Sequence, residues 1–467
     1  MRFILCDIGS LRPDHLGCYG YERPTSPTID SLARDGLLCT AAFTSDATTS
    51  GARAALFAGR FGLNNGVVTD GALGDVITGH TPVAEQGRSA PAPLLHEYCA
   101  ASDIRTVAVS PFGRQPARWF YTGWNEVYDP WCGRLPHEVT ARDINAVALP
   151  WLRAHADEAF LLYLSYNNLY AHIDTPLDER ETEYWEEFST ADAPLHPGEA
   201  QFAAHRELHA AFAPRAQRVP TREAVWKMMH SYDARIRTVD AALGEVVAAL
   251  DDSGVLDQTV IVVVSDHGVL FGECGCYGGH ISAHYHCIQV PLIVRAPEYI
   301  AGGTRLPGYV YALDLCPTLC EMAGLSVPAG YHGRSLLRAV EQGDEGRDYI
   351  VAGHGHYTAQ RTLLAGEWKL NRTWHSGFWD FDDTELYQIA HDTREDVNRA
   401  DDNPDQILAL NRKMRQWLDE YRPDHADPLA RVACEEPPGY IRFGQELRAR
   451  VRRGDLHPPD GYDGRWI

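Results

Sequence analysis

The run QTVIVVVSDHG, residues 258–268, leaves few ways for this chain to fold. Its centre, VIVVV, is apolar on both of the faces that a strand presents, so neither face can lie in water. The run is rich in β-branched residues and ends abruptly in the polar turn SDHG, which reads as a buried strand rather than a helix. RFILCDI, IRTVAVS, AFLLYLSYN and VPLIVRAP repeat this character. Between them stand helical patterns: PTIDSLARDGL, SGARAALFAGR, and the long TREAVWKMMHSYDARIRTVDAALGEVVAALDDSG, then LDLCPTLCEMAGL. The first carries Pro near its start and Gly at its end, as helix boundaries do. Buried strands alternating with helices predict an α/β fold: a large, mostly parallel central sheet with helices on both faces.

The rhythm changes twice. Residues 177–220 lose it and read as a surface excursion near the pocket, within a catalytic domain spanning 1–340. From 341 to 425 the composition turns polar and Trp-rich, with short strands such as YIVAGH and EWKLNRTW and a helix near 404–420, predicting a smaller C-terminal antiparallel α+β subdomain. The tail 426–467 has no core pattern of its own and is expected to lie on the body or on a neighbouring subunit, giving a possible homo-oligomer contact.

A formal charge of −22 argues against nucleic acid and acidic membrane faces as partners. With only Lys227, Lys369 and Lys413 as lysines, cationic chemistry falls to Arg and His. No stretch has the apolar length of a membrane span, and Arg2 leads directly into a strand rather than a signal peptide. Eleven cysteines without a C-x-x-C pair read as reduced thiols, so a cytoplasmic location is expected. Cys274-Gly-Cys276 reads as two incidental small residues in a loop more readily than as a redox pair.

Two stretches carry chemistry. Asp266 and His267 stand at the carboxyl end of the strongest strand, where ligands gather in open α/β sheets. An adjacent carboxylate and imidazole suit Mn²⁺ or Zn²⁺, and the same pair is also an ordinary polar turn. In SDATTSGARAALFAGR, Thr49 and Ser50 precede a helix with Arg53 in its first turn. That arrangement suits a hydroxyl nucleophile facing an oxyanion, and equally a simple N-cap.

Taken together, SLRPDHLGCYG, TSPTIDSLARDG, GARAALFAGR, VVVSDHG, VPLIVRAP and LDLCPTLCEMAGLSVPAGYHGRSLL resemble the sulfatases, and more closely the sulfatase and phosphonate monoester hydrolase branch of the alkaline phosphatase superfamily. The resemblance runs from residue 3 to about 425, where ELYQIAHDTREDVNRADDNPD matches a closing segment of the family. It implies that Asp266 and His267 are metal ligands and that Arg53 steadies the nucleophile. It places Thr49 on the nucleophile and His172, in NNLYAHIDTP, near a substrate-facing histidine. The expected substrate is a small anionic ester and the expected cofactor a divalent metal, Mn²⁺, Zn²⁺ or Ca²⁺.

The departures are as informative. The family's nucleophile is usually a Cys converted to formylglycine within C-x-P-S-R. Here the segment is T-S-G-A-R, and threonine cannot become formylglycine. A metal-binding Asp that the family places three residues before Arg12 is Gly9, and a lysine common before the histidine of the next loop is Gly279. Losing that carboxylate should weaken a hard cation such as Ca²⁺. Asp7, one pleat deeper on the same strand face, could replace it, as could His280, His284 and His286. Three functions remain: a metal-dependent ester hydrolase using Thr49 and Arg53, with His172 and His280 among its catalytic residues and a histidine protonating the leaving group, a repurposed group-transfer enzyme, and a metal-free binding partner.

Overall fold

The computed structural model describes residues 1–70, 92–112, 117–130, 139–167, 169, 179–189, 202–203, 221–377, 379, 381–422, 427–435 and 437–438. Eight strands form the central sheet: β1 (Arg2–Ile8), β2 (Leu37–Phe43), β3 (Arg105–Val109), β4 (Glu126–Tyr128), β5 (Phe160–Tyr166), β6 (Thr259–Val264), β7 (Leu292–Arg295) and β8 (Thr304–Tyr311). Their order is β4-β3-β5-β1-β6-β7-β2-β8. Every pairing is parallel except the two made by β7, which runs against both β6 and β2. The expected mostly parallel α/β sheet is therefore present, with one reversed strand inside it.

Alternation along β1 divides the core. Ile4, Cys6 and Ile8 pack with Ile29 and Leu32 of α1 (Pro27–Arg34), with Ile144 and Trp151 of the helix Ala141–His155 and with Ile236, Val239 and Leu243 of the long helix Arg222–Asp252. Phe3 and Leu5 face the other way, toward Ala54 and Phe57 of α2 (Thr49–Ala58) and Leu315 and Leu319 of the helix Leu315–Met322. Helices thus cover both faces, as continuous apolar strands require. Asp7 is the next residue on the α2 side, a carboxylate at the end of an apolar row.

Register then lines up the strand exits. Asp7 pairs with Ser165 of β5 and with Val264 of β6. Two residues further along each chain stand Gly9, Asn167 and Asp266, side by side at the carboxyl edge of the sheet.

A second, antiparallel sheet comprises β9 (Tyr349–His354), β10 (Ala359–Ala365), β11 (Trp368–His375) and β12 (Thr384–Gln388), ordered β12-β11-β10-β9. The helix Pro404–Tyr421 packs on it through Leu410, Met414 and Trp417. Within the segment expected to be a surface excursion, Glu179–Ser189 is helical and buries Phe188 at one end. Its acidic residues obscure an apolar stripe in the sequence, where Trp185 meets Trp226 of the long helix edge-on. The beginning of the tail is helical as well, over Pro428–Glu435, with Leu429 buried against Val68 and Ala359.

Candidate active site

α2 starts where the sheet edge ends. Thr48 caps it in extended conformation, its hydroxyl accepting from the Gly51 N–H at 3.2 Å, which leaves Thr49 as the first helical residue. Thr49 Oγ1 lies 3.0 Å from His267 Nε2. The other ring nitrogen, Nδ1, lies 2.8 Å from the Gly268 carbonyl. A carbonyl only accepts, so Nδ1 carries the proton and Nε2 accepts from the Thr49 hydroxyl; the tautomer is assigned from that contact. Burial pushes the His267 pKa down to about 4, so the ring is a neutral base at physiological pH.

The His280 ring stacks on His267 with centroids 3.8 Å apart. Its Nδ1 faces the Ala47 carbonyl at 3.0 Å, and burial beside His267 lowers its pKa too. His280 is thus a neutral wall of the site. His284 and His286, considered alongside it, do not converge there. His284 Nδ1 meets Ser282 Oγ at 2.7 Å and its Nε2 faces Glu385 at 3.5 Å. His286 lies beside Asp14, 3.8 Å away. Three histidines in seven residues cannot all point one way once a short helix, Tyr285–Ile288, intervenes. His172 lies outside the described residues.

Arg53, one turn into α2, reaches the carboxyl edge of the sheet and is wholly buried. Its Nε donates to Asp7 Oδ2 at 2.6 Å, its Nη2 donates to Asn167 Oδ1 at 2.9 Å, and Nη2 also faces Asp266 Oδ2 at 3.2 Å. The guanidinium lies over the Phe112 ring, 4.6 Å from its centroid. Asp7 Oδ2 accepts a second hydrogen bond, from the Tyr163 hydroxyl at 2.5 Å. Burial raises the Asp7 pKa and Arg53 opposes that rise without cancelling it. Asp266 Oδ1 accepts from the Ser10 and His267 N–H groups at 3.0 and 2.8 Å. Ser10 holds a left-handed φ of 65° to do so.

A divalent cation needs several unengaged donors converging on one point. Asp7 Oδ2, Asn167 Oδ1 and Asp266 Oδ2 all face Arg53, Asp266 Oδ1 is occupied by backbone N–H groups, and His267 Nε2 accepts from Thr49. Asp7 Oδ1 is the remaining buried acceptor of the set and has no hydrogen-bond partner among the described residues. No group of three or more His, Cys, Asp and Glu side chains among the described residues is arranged to hold a metal. The residues present do not fit a metal at Asp266, His267 and Asp7.

Sequence reasoning missed Tyr163, Asn167 and Asp70. Tyr163 interrupts an apolar strand, and a buried tyrosine hydroxyl needs a partner, which was the available signal. Asp70, whose Oδ1 accepts from Ser50 Oγ at 2.6 Å, has no local signature. Arg12 is buried but faces away, bonded to Asp14 at 2.6 Å and Glu273 at 3.0 Å.

The Sulfatase family model matches residues 3–325. The chain belongs to the sulfatase family. A second model, described as N-sulphoglucosamine sulphohydrolase, C-terminal, matches residues 272–424 of this sulfatase-family chain. The N-acetylglucosamine-6-O-sulfatase of Bacteroides thetaiotaomicron is 30% identical over 183 residues, which is 36% of this chain and 32% of that relative. The family member thus spans about a third of the length of that curated relative. Its fold is similar to that of a protein solved in complex with its substrate D-glucosamine-2-N,6-O-disulfate, with a TM-score of 0.72, 18% identity and coverage of 91% of this chain and 99% of that one. It is also similar to the phosphonate monoester hydrolase of Agrobacterium radiobacter, with a TM-score of 0.69, 18% identity and coverage of 90% and 96%. At these identities the two structures establish the shared sulfatase-like fold. Among the described residues no helix is long and apolar enough to cross a membrane.

Proposed function

We propose that this chain hydrolyses a small anionic ester of the sulfate, phosphonate or phosphate type, with Thr49 as nucleophile and His267 as its base. The observation that carries the reading is the 3.0 Å approach of Thr49 Oγ1 to a His267 Nε2 whose partner nitrogen is anchored on a backbone carbonyl. A hydroxyl is a weak nucleophile until a positioned base takes its proton, and this pair has the geometry for that transfer.

Thr49 Oγ bonds to the central sulfur or phosphorus as the bond to the ester oxygen breaks. The Thr49 proton passes to His267 Nε2, and the leaving oxygen departs with the bonding pair, taking a proton from water or from His172. Water then attacks the same centre, the Thr49 oxygen is released and reprotonated, and the free oxyanion leaves. The N-terminal end of α2 supplies positive potential beside the transferred group. Formylglycine has no part in this chemistry.

An ester panel of aryl sulfates, phosphonates and phosphates, assayed with the wild type, Thr49→Ala and Thr49→Ser, tests the reading. Turnover lost in Thr49→Ala and partly kept in Thr49→Ser supports it, as does a trapped adduct on the peptide containing Thr49. Turnover unchanged in Thr49→Ala, or no turnover of any ester by wild type, overturns it.

A further inference from the structure

We propose that the resident cation of this site is the Arg53 guanidinium, and that the chain binds no divalent metal between Asp7, Asp266 and His267. The inference does not depend on whether esters are hydrolysed.

The chain itself occupies the place of a cation. A planar, permanently charged fork suits two carboxylates and an amide oxygen around it. Arg53 makes these contacts at 2.6, 2.9 and 3.2 Å, with its side chain fully buried and Phe112 beneath it. Any metal ion held by the same oxygens would have to displace those contacts.

Charge opposes a metal as well. Asp7 and Asp266 offer at most two negative charges to an ion held between them, Arg53 already answers one, and Asp70, the next carboxylate, is held by Ser50. A divalent ion beside the guanidinium would leave excess positive charge in a buried site, which carries a large desolvation cost. The residue that could have balanced it, at position 9, is glycine.

Gly9 itself leaves no room for a ligand. A Cβ placed on Gly9 would lie 2.5 Å from Asn167 Oδ1 and 3.4 Å from Arg53 Nη2. The space in front of Gly9 is therefore filled by the amide and the guanidinium rather than left by a lost ligand. The Gly9 N–H donates to the Tyr166 carbonyl at 2.9 Å, which holds the β1 exit against β5 and brings Asn167 to this position. Gly9, Asn167 and Arg53 form a mutually dependent set: the missing side chain admits Asn167, and Asn167 orients the guanidinium.

His267 has no nitrogen to spare. With Nδ1–H on the Gly268 carbonyl and Nε2 accepting from Thr49, both ring nitrogens are engaged within the protein.

The test is metal content and metal response of the full chain, purified without chelator from medium supplemented with Mn²⁺, Zn²⁺ and Ca²⁺. The expected result is the same metal content in wild type and Asp266→Asn, with the same thermal midpoints before and after EDTA or any of the three cations. Close to one equivalent of metal in wild type that Asp266→Asn lacks would overturn the proposal. So would a wild-type midpoint that falls on chelation and is recovered by one cation while Asp266→Asn does not respond. Because Asp266→Asn can fail to fold, wild-type crystals soaked in Mn²⁺ give a second measurement. An anomalous scattering peak within coordination distance of Asp266 contradicts the proposal, and its absence there upholds it.

Discussion

Asp7 Oδ2 accepts a hydrogen bond from Arg53 Nε at 2.6 Å, joining the first strand of the sheet to the first turn of α2 with both side chains buried. Strand alternation sends Asp7 to the α2 face behind Phe3 and Leu5. Helical spacing brings Arg53 round one turn after Thr49. The same contact therefore fixes where the nucleophile stands relative to the sheet edge.

Tyr163 holds the other side of that carboxylate. Tyr163→Phe should keep the ring packing but remove a hydrogen bond to a charged group, costing about 1.5–3 kcal/mol. Urea unfolding checks the stability, and kcat should fall more than KM rises if Tyr163 acts through Arg53 and Asp7. A variant as stable as wild type would mean the hydroxyl contributes nothing to the pair.

His267→Gln removes the base while keeping an acceptor near Thr49. Turnover on the best ester should drop by about 10²–10⁴-fold with little change in KM. Full activity in this variant would remove His267 from the proton path.

The site sets one guanidinium against the carboxylates of Asp7 and Asp266, with Asp70 close behind Ser50. An extra substrate charge is unfavourable there. Singly charged sulfate and phosphonate monoesters should exceed phosphate monoester dianions in kcat/KM by about tenfold or more at matched leaving groups. Competition assays decide this, and a preference for the dianion contradicts it.

Two histidines away from the site, His230 buried and His332 half-buried, make the fold acid-sensitive. His332 and His230 have pKa values pushed down to about 4, chiefly by burial, with Arg60 and Arg23 respectively adding to it. His332 Nδ1 accepts from the Phe61 N–H at 3.3 Å, beside the Phe61 and Tyr421 rings. His230 lies among Arg23, Asp233 and Trp226; its Nδ1 is 2.8 Å from Arg23, and Asp233 partly opposes the shift. In the unfolded chain each protonates near about 6.5. Their contribution is complete above that pH and is lost progressively as pH falls toward about 4. Urea midpoints measured across this range should decline; a flat profile would show that neither ring is held neutral.

In the second sheet, Lys369 Nζ donates to Glu395 at 2.6 Å with neither side chain exposed, and the other Glu395 oxygen accepts from the Tyr285 N–H at 2.6 Å. Lys369→Met strands that carboxylate and should cost about 3–5 kcal/mol. Because Tyr285 follows the loop that carries His280, activity near the unfolding midpoint should fall in parallel with structure. Circular dichroism and turnover measured on the same samples check both.

The sequence alone determined the architecture and made half of the candidate site visible. Both-face apolar runs such as VIVVV can exist only inside a covered sheet, and Thr49, Arg53, Asp266 and His267 occupy strand and helix ends where local pattern makes them visible. Glycine at position 9 was legible as a departure but not in its meaning. Tertiary structure decided that meaning, because strand register places Gly9, Asn167 and Asp266 in one row. Arg53 reaches them from a separate helix, and no local pattern encodes contacts between residues as far apart in the chain as Asp7, Arg53 and Asn167. The same register points Asp7 to the α2 side, where it anchors the Arg53 guanidinium. It also separated His280, stacked on His267, from His284 and His286, which a seven-residue spacing cannot distinguish.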